Sequence, residues 1–286
     1  MPVDHAPGIR VCRSCDFIFA PDIQSEDSKL YDSNFGDTNV HPTYEKRDGK
    51  YVVRNRVKLE ALLDRLEPYR QTGRFLDVGC SAAFFLSVAK ERRWSPQGAE
   101  IAKWAADFSR QELGIDVFNG MLQDGKFPDN HFDVVFSSHV MEHIGQPLDL
   151  LKEMARVLRP GGAHVTVVPT QFASPSWWLA HRFIGDPPPI HASFYTRDTY
   201  AAFLKKAGLR VKSVEYNVEL NRLRQLTRSV SENAAQWQQD KNAIVQGAAA
   251  TAVRPAWVEV AKKLVNLVGN SLDMGDEIIA FAEKPV

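Results

Sequence analysis

The chain has few cysteines, no net charge and no long apolar run, and each absence limits what it can be. Its 286 residues include three cysteines, Cys12, Cys15 and Cys80, too few for the disulfide framework of a small secreted protein. Lysine and arginine total 35, as do aspartate and glutamate, so the basic excess typical of nucleic-acid-binding proteins is missing. We therefore expect no nucleic-acid partner, and a small molecule becomes the default substrate.

Signals for export and membrane insertion are also missing. No apolar run approaches the roughly 18 residues that a membrane span needs, and the first ten residues, MPVDHAPGIR, lack the apolar core of a secretory signal. These absences predict a cytoplasmic protein without stable membrane insertion. With 44% apolar residues the chain can bury a full core, but nothing in the sequence predicts an oligomeric state.

Strand and helix signals alternate from about residue 74 to residue 169, a pattern typical of a parallel sheet covered by helices on both faces. The pattern predicts an N-terminal segment (1–45) that contains a single C-x-x-C, a core (46–216), and a C-terminal part (217–286) with a helical insertion and a last strand. We expect seven strands in this alternation. The first ends at Asp77, and the others span residues 96–99, 115–118, 132–137, 163–168, 211–216 and 277–282.

The stretch from Phe75 to Leu86 reads as a buried strand, a turn of small residues and the start of a helix. Such a turn brings backbone N–H groups and a helix N-terminus close to a ligand. Asp77, at the end of the strand, would repel a pyrophosphate but attract a ligand that carries an ammonium and a sulfonium group. S-adenosylmethionine carries both charges and no phosphate, so the turn predicts this cofactor.

Four segments, taken together, resemble the class I S-adenosylmethionine-dependent methyltransferases that act on small molecules. They are LDVGCSAAFFL at 76–86, GAEIA at 98–102, FPDNHFDVVFSSHVMEHIGQP at 127–147 and LKEMARVLRPGGAHVTVVP at 151–169. The resemblance implies an α/β fold with a doubly wound, seven-stranded Rossmann-like sheet, followed by the helical C-terminal insertion. It also implies methyl transfer to a small-molecule acceptor, at oxygen by family analogy.

The resemblance further implies which residues hold the cofactor. Asp77 and Gly79 would lie at its methionine end, and Glu100 would accept hydrogen bonds from the two ribose hydroxyls. The remaining implied contacts are Ser81 in the turn, Met121 and Leu122 beside the adenine, and Ser138 facing the sulfonium.

Two turn residues depart from the family pattern, because Ser81 and Ala83 stand where glycine is usual. This keeps open a non-catalytic relative that acts through a protein partner. A nicotinamide-dependent oxidoreductase is a further alternative, but it should carry G-x-G-x-x-G and lack Asp77.

The sequence indicates the residues around the methyl acceptor less clearly than those around the cofactor. His139, His191 and Tyr195 are candidates for moving a proton, if the acceptor nucleophile must lose one. Spacing also brings Glu142 and His143 near His139, a set suited to a divalent ion. We favour the interpretation in which Glu142 and His143 form hydrogen bonds within the fold and no metal is bound.

Two other features remain open. The aromatic loop with Trp177, Trp178, His181 and Phe183 is either a lid over the acceptor or a packed loop. Cys12 and Cys15 have metal-ligand spacing, but a structural zinc site needs four ligands, so two free thiols are the favoured interpretation.

Overall fold

The computed structural model describes residues 8–23, 44–53, 56–170, 191–217, 270 and 275–286. The aromatic loop with Trp177, Trp178, His181 and Phe183 lies outside these residues, and so does nearly all of the helical insertion. No described helix has the length and apolarity required to cross a bilayer.

The described strands and helices follow the predicted alternation. The strands are β1 (Arg10–Val11), β2 (Ile18–Phe19), β3 (Tyr44–Arg47), β4 (Lys50–Val53), β5 (Arg74–Val78), β6 (Ser95–Glu100), β7 (Asp116–Asn119), β8 (Phe132–Ser138), β9 (Leu158–Pro169), β10 (Ser193–Phe194), β11 (Arg210–Asn217) and β12 (Glu277–Glu283). The helices are α1 (Val57–Leu66), α2 (Phe84–Glu91), α3 (Lys103–Gln111), α4 (Pro147–Val157) and α5 (Arg197–Lys206).

Seven strands form the central sheet in the order β11-β12-β9-β8-β5-β6-β7. The strands β5 to β9 are parallel, whereas β12 runs antiparallel to both of its neighbours. The chain builds outward from β5 to β7 and then returns to the other side of β5 with β8. The expected doubly wound α/β fold is therefore confirmed, and the switch point between β5 and β8 is where such sheets bind ligands.

Alternate residues of β5 face opposite sides of the sheet, and each side has its own core. Phe75 belongs to the core that contains Leu63 of α1 and Phe85 of α2. Leu76 belongs to the core that contains Met154 of α4 and Leu204 of α5. Helices on both faces leave the carboxyl edge of the strands as the place for a ligand.

A small second sheet, in the order β1-β2-β10, joins the N-terminal segment to the segment that follows His191. Cys12 and Cys15 are free thiols in the connection between β1 and β2. A hydrogen bond to Ser14 is the main cause that lowers the pKa of Cys12, to about 7.

Strand β9 begins five residues earlier than the sequence predicts. Phe132 pairs with Leu158 and Val134 pairs with Ala163, so four residues of β9, 159–162, bulge opposite Asp133 alone. The bulge is the R-P-G-G segment that follows α4. It remains with the strand because Arg159 reaches back to Asp133.

Asp133 is fully buried, and both oxygens of its carboxylate accept hydrogen bonds. Its Oδ2 accepts the backbone N–H groups of Gln71, Thr72 and Gly73 at 2.9, 2.7 and 2.7 Å. Its Oδ1 accepts Nε of Arg159 at 2.6 Å. Burial raises the pKa of Asp133, but the Arg159 bond and the three N–H groups outweigh burial and lower it. One carboxylate thus fastens the entry to β5 and the start of β9.

Replacing Asp133 with Asn should destabilise the protein by about 3 kcal/mol, because a buried guanidinium loses its counter-charge and at least one N–H loses its acceptor. Urea unfolding monitored by circular dichroism measures this change in the free energy of unfolding. Asp129→Asn is the matched control, since Asp129 pairs with Arg156 at the surface, and it should change stability by less than ~0.5 kcal/mol. Equal effects of the two substitutions would contradict the role given to Asp133.

Candidate active site

Two acids lie side by side at the carboxyl edge of the sheet. Asp77 is the penultimate residue of β5 and Glu100 is the last residue of β6, and these strands pair in parallel. Asp77 is 4% exposed and Glu100 is 7% exposed. The strand pairing therefore brings together the two acids that the family resemblance assigned to the methionine end and to the ribose of one cofactor.

Burial raises the pKa of Asp77 well above its ordinary value, and the nearby charge of Glu100 raises it further. Both causes oppose the ionised form. A cation bound next to Asp77 would have the opposite effect on the pKa and would compensate the buried charge. An ammonium group therefore fits this position.

Glu100 holds the turn that follows β5. Its Oε2 accepts the N–H of Ser81 at 2.7 Å, and its Oε1 accepts the N–H of Ala102 at 2.8 Å. Each carboxylate oxygen has more than one acceptor position, so a pair of ribose hydroxyls fits the remaining capacity. The side chain of Asn119, which the sequence analysis did not single out, donates to the backbone oxygens of Glu100 and Ile101 at 2.9 and 3.0 Å.

Position 79 requires glycine because of its backbone conformation and because a side chain there would clash with a neighbour. Its φ is +73°, and a Cβ at this position would lie 2.3 Å from Cγ2 of Val140. Ser81 and Ala83 also adopt positive φ, at +48° and +53°, a conformation that costs a residue with a side chain roughly 1 kcal/mol. This explains why glycine is the usual residue there, and the Glu100 hydrogen bond helps to hold Ser81 in that conformation.

The other predicted cofactor residues lie at the same edge with different exposure. Met121 is half-buried and precedes a short 3-10 turn (Leu122–Gly125), while Leu122 is buried in the core. Ser138 is half-buried at the end of β8, opposite Val167 of β9.

His139 lies between two acids just beyond β8. Its Nδ1 is 3.5 Å from Oε1 of Glu142, and its Nε2 is 3.3 Å from Oε1 of Glu277, the first residue of β12. Burial lowers the pKa of His139, but hydrogen bonds and charge interactions with the two acids outweigh burial and raise it to about 9. At neutral pH the imidazole is therefore protonated, and it donates hydrogen bonds rather than accepting a proton.

The other two proton-transfer candidates differ from each other in position. The ring of His191 lies 5.0 Å from the ring of His143, so His191 belongs to the same group of side chains. Tyr195 is buried, and its hydroxyl donates to the carbonyl oxygen of Met141 at 3.0 Å. Burial raises the pKa of Tyr195 well above its ordinary value. Its position supports a role in packing and argues against proton transfer.

His139→Gln should change how stability depends on pH. The pKa of His139 is about 9 in the folded protein and ordinarily 6.5, so its charge stabilises the fold fully below pH 6.5 and loses this effect as pH rises through about 9. The free energy of unfolding of the parent, relative to His139→Gln, should therefore fall between about pH 6 and pH 9.5. Urea titrations with a chelator present measure it.

His131→Gln is the matched control for this pH experiment. Burial, followed by the charge of Arg74, lowers the pKa of His131, so its titration affects stability only on the acidic side. The control should show no pH-dependent difference from the parent above about pH 7. A constant difference between the parent and His139→Gln across the same range would contradict the assigned contacts.

Comparison with known proteins identifies the family. Residues 51–214, a little more than half of the chain, match the model of the methyltransferase domain named Methyltransf_23. The biotin biosynthesis bifunctional protein BioHC of Cellvibrio japonicus is 33% identical over 103 residues, which are 35% of this chain and 20% of that protein. The 2-methyl-6-phytyl-1,4-hydroquinone methyltransferase 2 of Oryza sativa subsp. japonica is 29% identical over 160 residues, 51% of this chain and 42% of the relative.

The chain thus spans less than half of the length of these two curated relatives. Among solved structures, the [4+2]-cyclase SpnF superimposes with a TM-score of 0.57 at 18% identity, covering 92% of this chain and 98% of the cyclase. That likeness concerns the fold. The family match and the strand order show that the chain belongs to the class I S-adenosylmethionine-dependent methyltransferase family.

Proposed function

We propose that this protein transfers the methyl group of S-adenosylmethionine to an oxygen atom of a small-molecule acceptor. The observation that carries the proposal is the pair of buried acids, Asp77 and Glu100, at the carboxyl edge of β5 and β6, beside the switch point of the sheet. The fold alone would not carry it, because a protein named as a [4+2]-cyclase has a similar fold.

Each of the proposed cofactor residues would contact a different part of S-adenosylmethionine. Asp77 would hold the α-ammonium group, and Glu100 would accept the ribose hydroxyls while its bond to Ser81 holds the turn. Gly79, with no side chain, would let the backbone approach the methionine end. When bound, S-adenosylmethionine supplies a methyl group made electrophilic by the positive sulfur.

The acceptor residue that we propose is His139. It follows β8, carries a positive charge at neutral pH and is 44% exposed. A protonated imidazole can donate a hydrogen bond to an acceptor oxygen that has already lost its proton to water, and so orient and stabilise the oxyanion that attacks the methyl carbon. The carbon–sulfur bond breaks as the oxygen–carbon bond forms, and S-adenosylhomocysteine leaves. Because alignment supplies much of the rate in such a displacement, Tyr195 is not needed as a base.

The names of two curated relatives support a small-molecule acceptor. One is named as a methyltransferase of a substituted hydroquinone, and another, from Listeria welshimeri at 24% identity, as a demethylmenaquinone methyltransferase. Hydroquinones present hydroxyl groups, and we use them as the first acceptor class to test. The match to a methyltransferase domain favours S-adenosylmethionine over a nicotinamide cofactor.

Asp77→Asn should stabilise the ligand-free protein and weaken cofactor binding. The substitution removes a charge whose ionisation is opposed by burial and by Glu100, so unfolding at neutral pH should occur at a higher temperature. Loss of the ammonium partner should weaken S-adenosylmethionine by roughly 30-fold or more. Calorimetric titration and thermal melting measure the two effects.

Parent protein and Asp116→Asn serve as references for Asp77→Asn, because Asp116 begins β7 at the opposite edge of the sheet. At about 100 times the dissociation constant, S-adenosylmethionine or S-adenosylhomocysteine should stabilise both by about 2.7 kcal/mol. NAD should have no effect. Undiminished binding by Asp77→Asn would refute the site, and no binding by the parent would point to a non-catalytic relative.

The attacked atom is tested with S-adenosylmethionine carrying a ¹³C-labelled methyl group and a panel of hydroquinones and catechols. A labelled methoxy signal in the product is expected, and it should form more slowly, by about tenfold or more, with His139→Gln. A labelled carbon-bound methyl group would contradict transfer to oxygen while leaving methyl transfer itself intact.

A further inference from the structure

Three side chains at the acceptor side form a cluster that the cofactor does not use. Glu142, His143 and His191, here called the Glu-His-His cluster, each offer one ligand atom, and these atoms all lie within 4.8 Å of one another. Glu142 is buried, while the two histidines are half-buried. Two imidazoles and one carboxylate are a common ligand set for zinc and related metals.

Glu142 uses its two carboxylate oxygens differently. Oε1 lies 3.5 Å from His139 and 3.8 Å from His143, but Oε2 is buried and makes no hydrogen bond within the described part of the chain. Glu142 as a whole is 1% exposed. An acceptor left unpaired in the interior costs free energy, and a cation bound there would remove that cost.

The backbone holds His191 beside the other two residues. The N–H of Ala192 donates to the carbonyl oxygen of Glu142 at 2.9 Å, and Oγ of Ser193 donates to that of Ile144 at 2.8 Å. The carbonyl of Ala192 in turn accepts the N–H of Ala20 from the N-terminal segment at 2.9 Å. These bonds clamp the segment that carries His191 against the 3-10 turn (Met141–His143) that carries Glu142 and His143.

We propose that the Glu-His-His cluster binds one divalent transition-metal ion, for which Zn²⁺ is the probe. Magnesium and calcium prefer oxygen ligands, so the two imidazoles favour zinc, cobalt or nickel. Ligand atoms around tetrahedral zinc lie roughly 3.3 Å apart, so the three ligand atoms, which all lie within 4.8 Å of one another, would draw closer together on binding. Three protein ligands leave a fourth position for water or for an oxygen of the acceptor.

This ligand set differs from the one that the sequence suggested. Spacing alone grouped His139 with Glu142 and His143, and we favoured hydrogen bonding without a metal. In the structure His139 binds Glu142 and Glu277, and His191 takes the place near His143. The unpaired oxygen and the position of His191 are the observations that favour a metal.

The test is Zn²⁺ binding by untagged protein, measured by competition with a chromophoric chelator. Cys12→Ser and Cys15→Ser are present throughout, so that these thiols do not compete. We expect one ion per chain. His143→Gln, His191→Gln and Glu142→Gln should each weaken binding by ~100-fold or more. His139→Gln and the distant His131→Gln should bind within about threefold of the parent.

Two further measurements keep the result interpretable. Co²⁺ bound to the parent should give the intense visible absorption of a tetrahedral site, which surface adsorption does not give. S-adenosylmethionine affinity of His191→Gln should match that of the parent, which shows that the variant is folded and separates this proposal from the cofactor site. Zinc binding lost in His139→Gln but kept in His191→Gln would overturn the proposed ligand set, and absence of stoichiometric binding would overturn the site.

Discussion

The structure is organised around two carboxylates that are buried next to each other at the carboxyl edge of β5 and β6. Burial and a neighbouring like charge both oppose ionisation, and together they raise the pKa of Asp77. Glu100 offsets part of its own burial by accepting two backbone N–H groups. In doing so it holds the turn in a conformation suited to glycine. The charge that would complete the arrangement is a cation brought by a ligand, so stability of the empty site and affinity for the cofactor oppose each other.

Charge also organises the residues around His139, but here a cation lies between two acids. His139 is protonated because two acids face it, one from the turn after β8 and one from the start of β12. Glu142 serves both this pair and the Glu-His-His cluster, which makes it the residue that connects the cofactor edge with the segment carrying His191. The buried Glu142 thus contributes to the raised pKa of His139 and also belongs to the proposed metal site with His143 and His191.

Much of the fold followed from the sequence because its signals are local. Hydrophobic runs located β5, β6 and β8 to within one or two residues, and the family resemblance located Asp77 and Glu100. The bulge at 159–162 was missed because it depends on a buried ion pair between Arg159 and Asp133, not on local propensity.

The acceptor side was predicted less well for a similar reason. The Glu277 contact joins β12 to the turn after β8, and hydrogen bonds between distant segments place His191 next to His143. Sequence spacing cannot predict either of these long-range contacts. Spacing correctly placed His139 beside Glu142, but it could not indicate the contact with Glu277. The sequence also gave Tyr195 a chemical role that its bond to Met141 argues against.

The small sheet β1-β2-β10 has a consequence for the order in which the protein folds. The cofactor half, from β5 to β7, is assembled from consecutive β–α units whose partners are near in sequence. Strand β10, next to His191, pairs with β2, close to the start of the chain, so its formation must close a long loop. Because loop closure slows the formation of distant contacts, we expect the cofactor half to form first. The acceptor half would then be the slower and more easily opened part of the native protein, and exchange of its amide hydrogens would be faster.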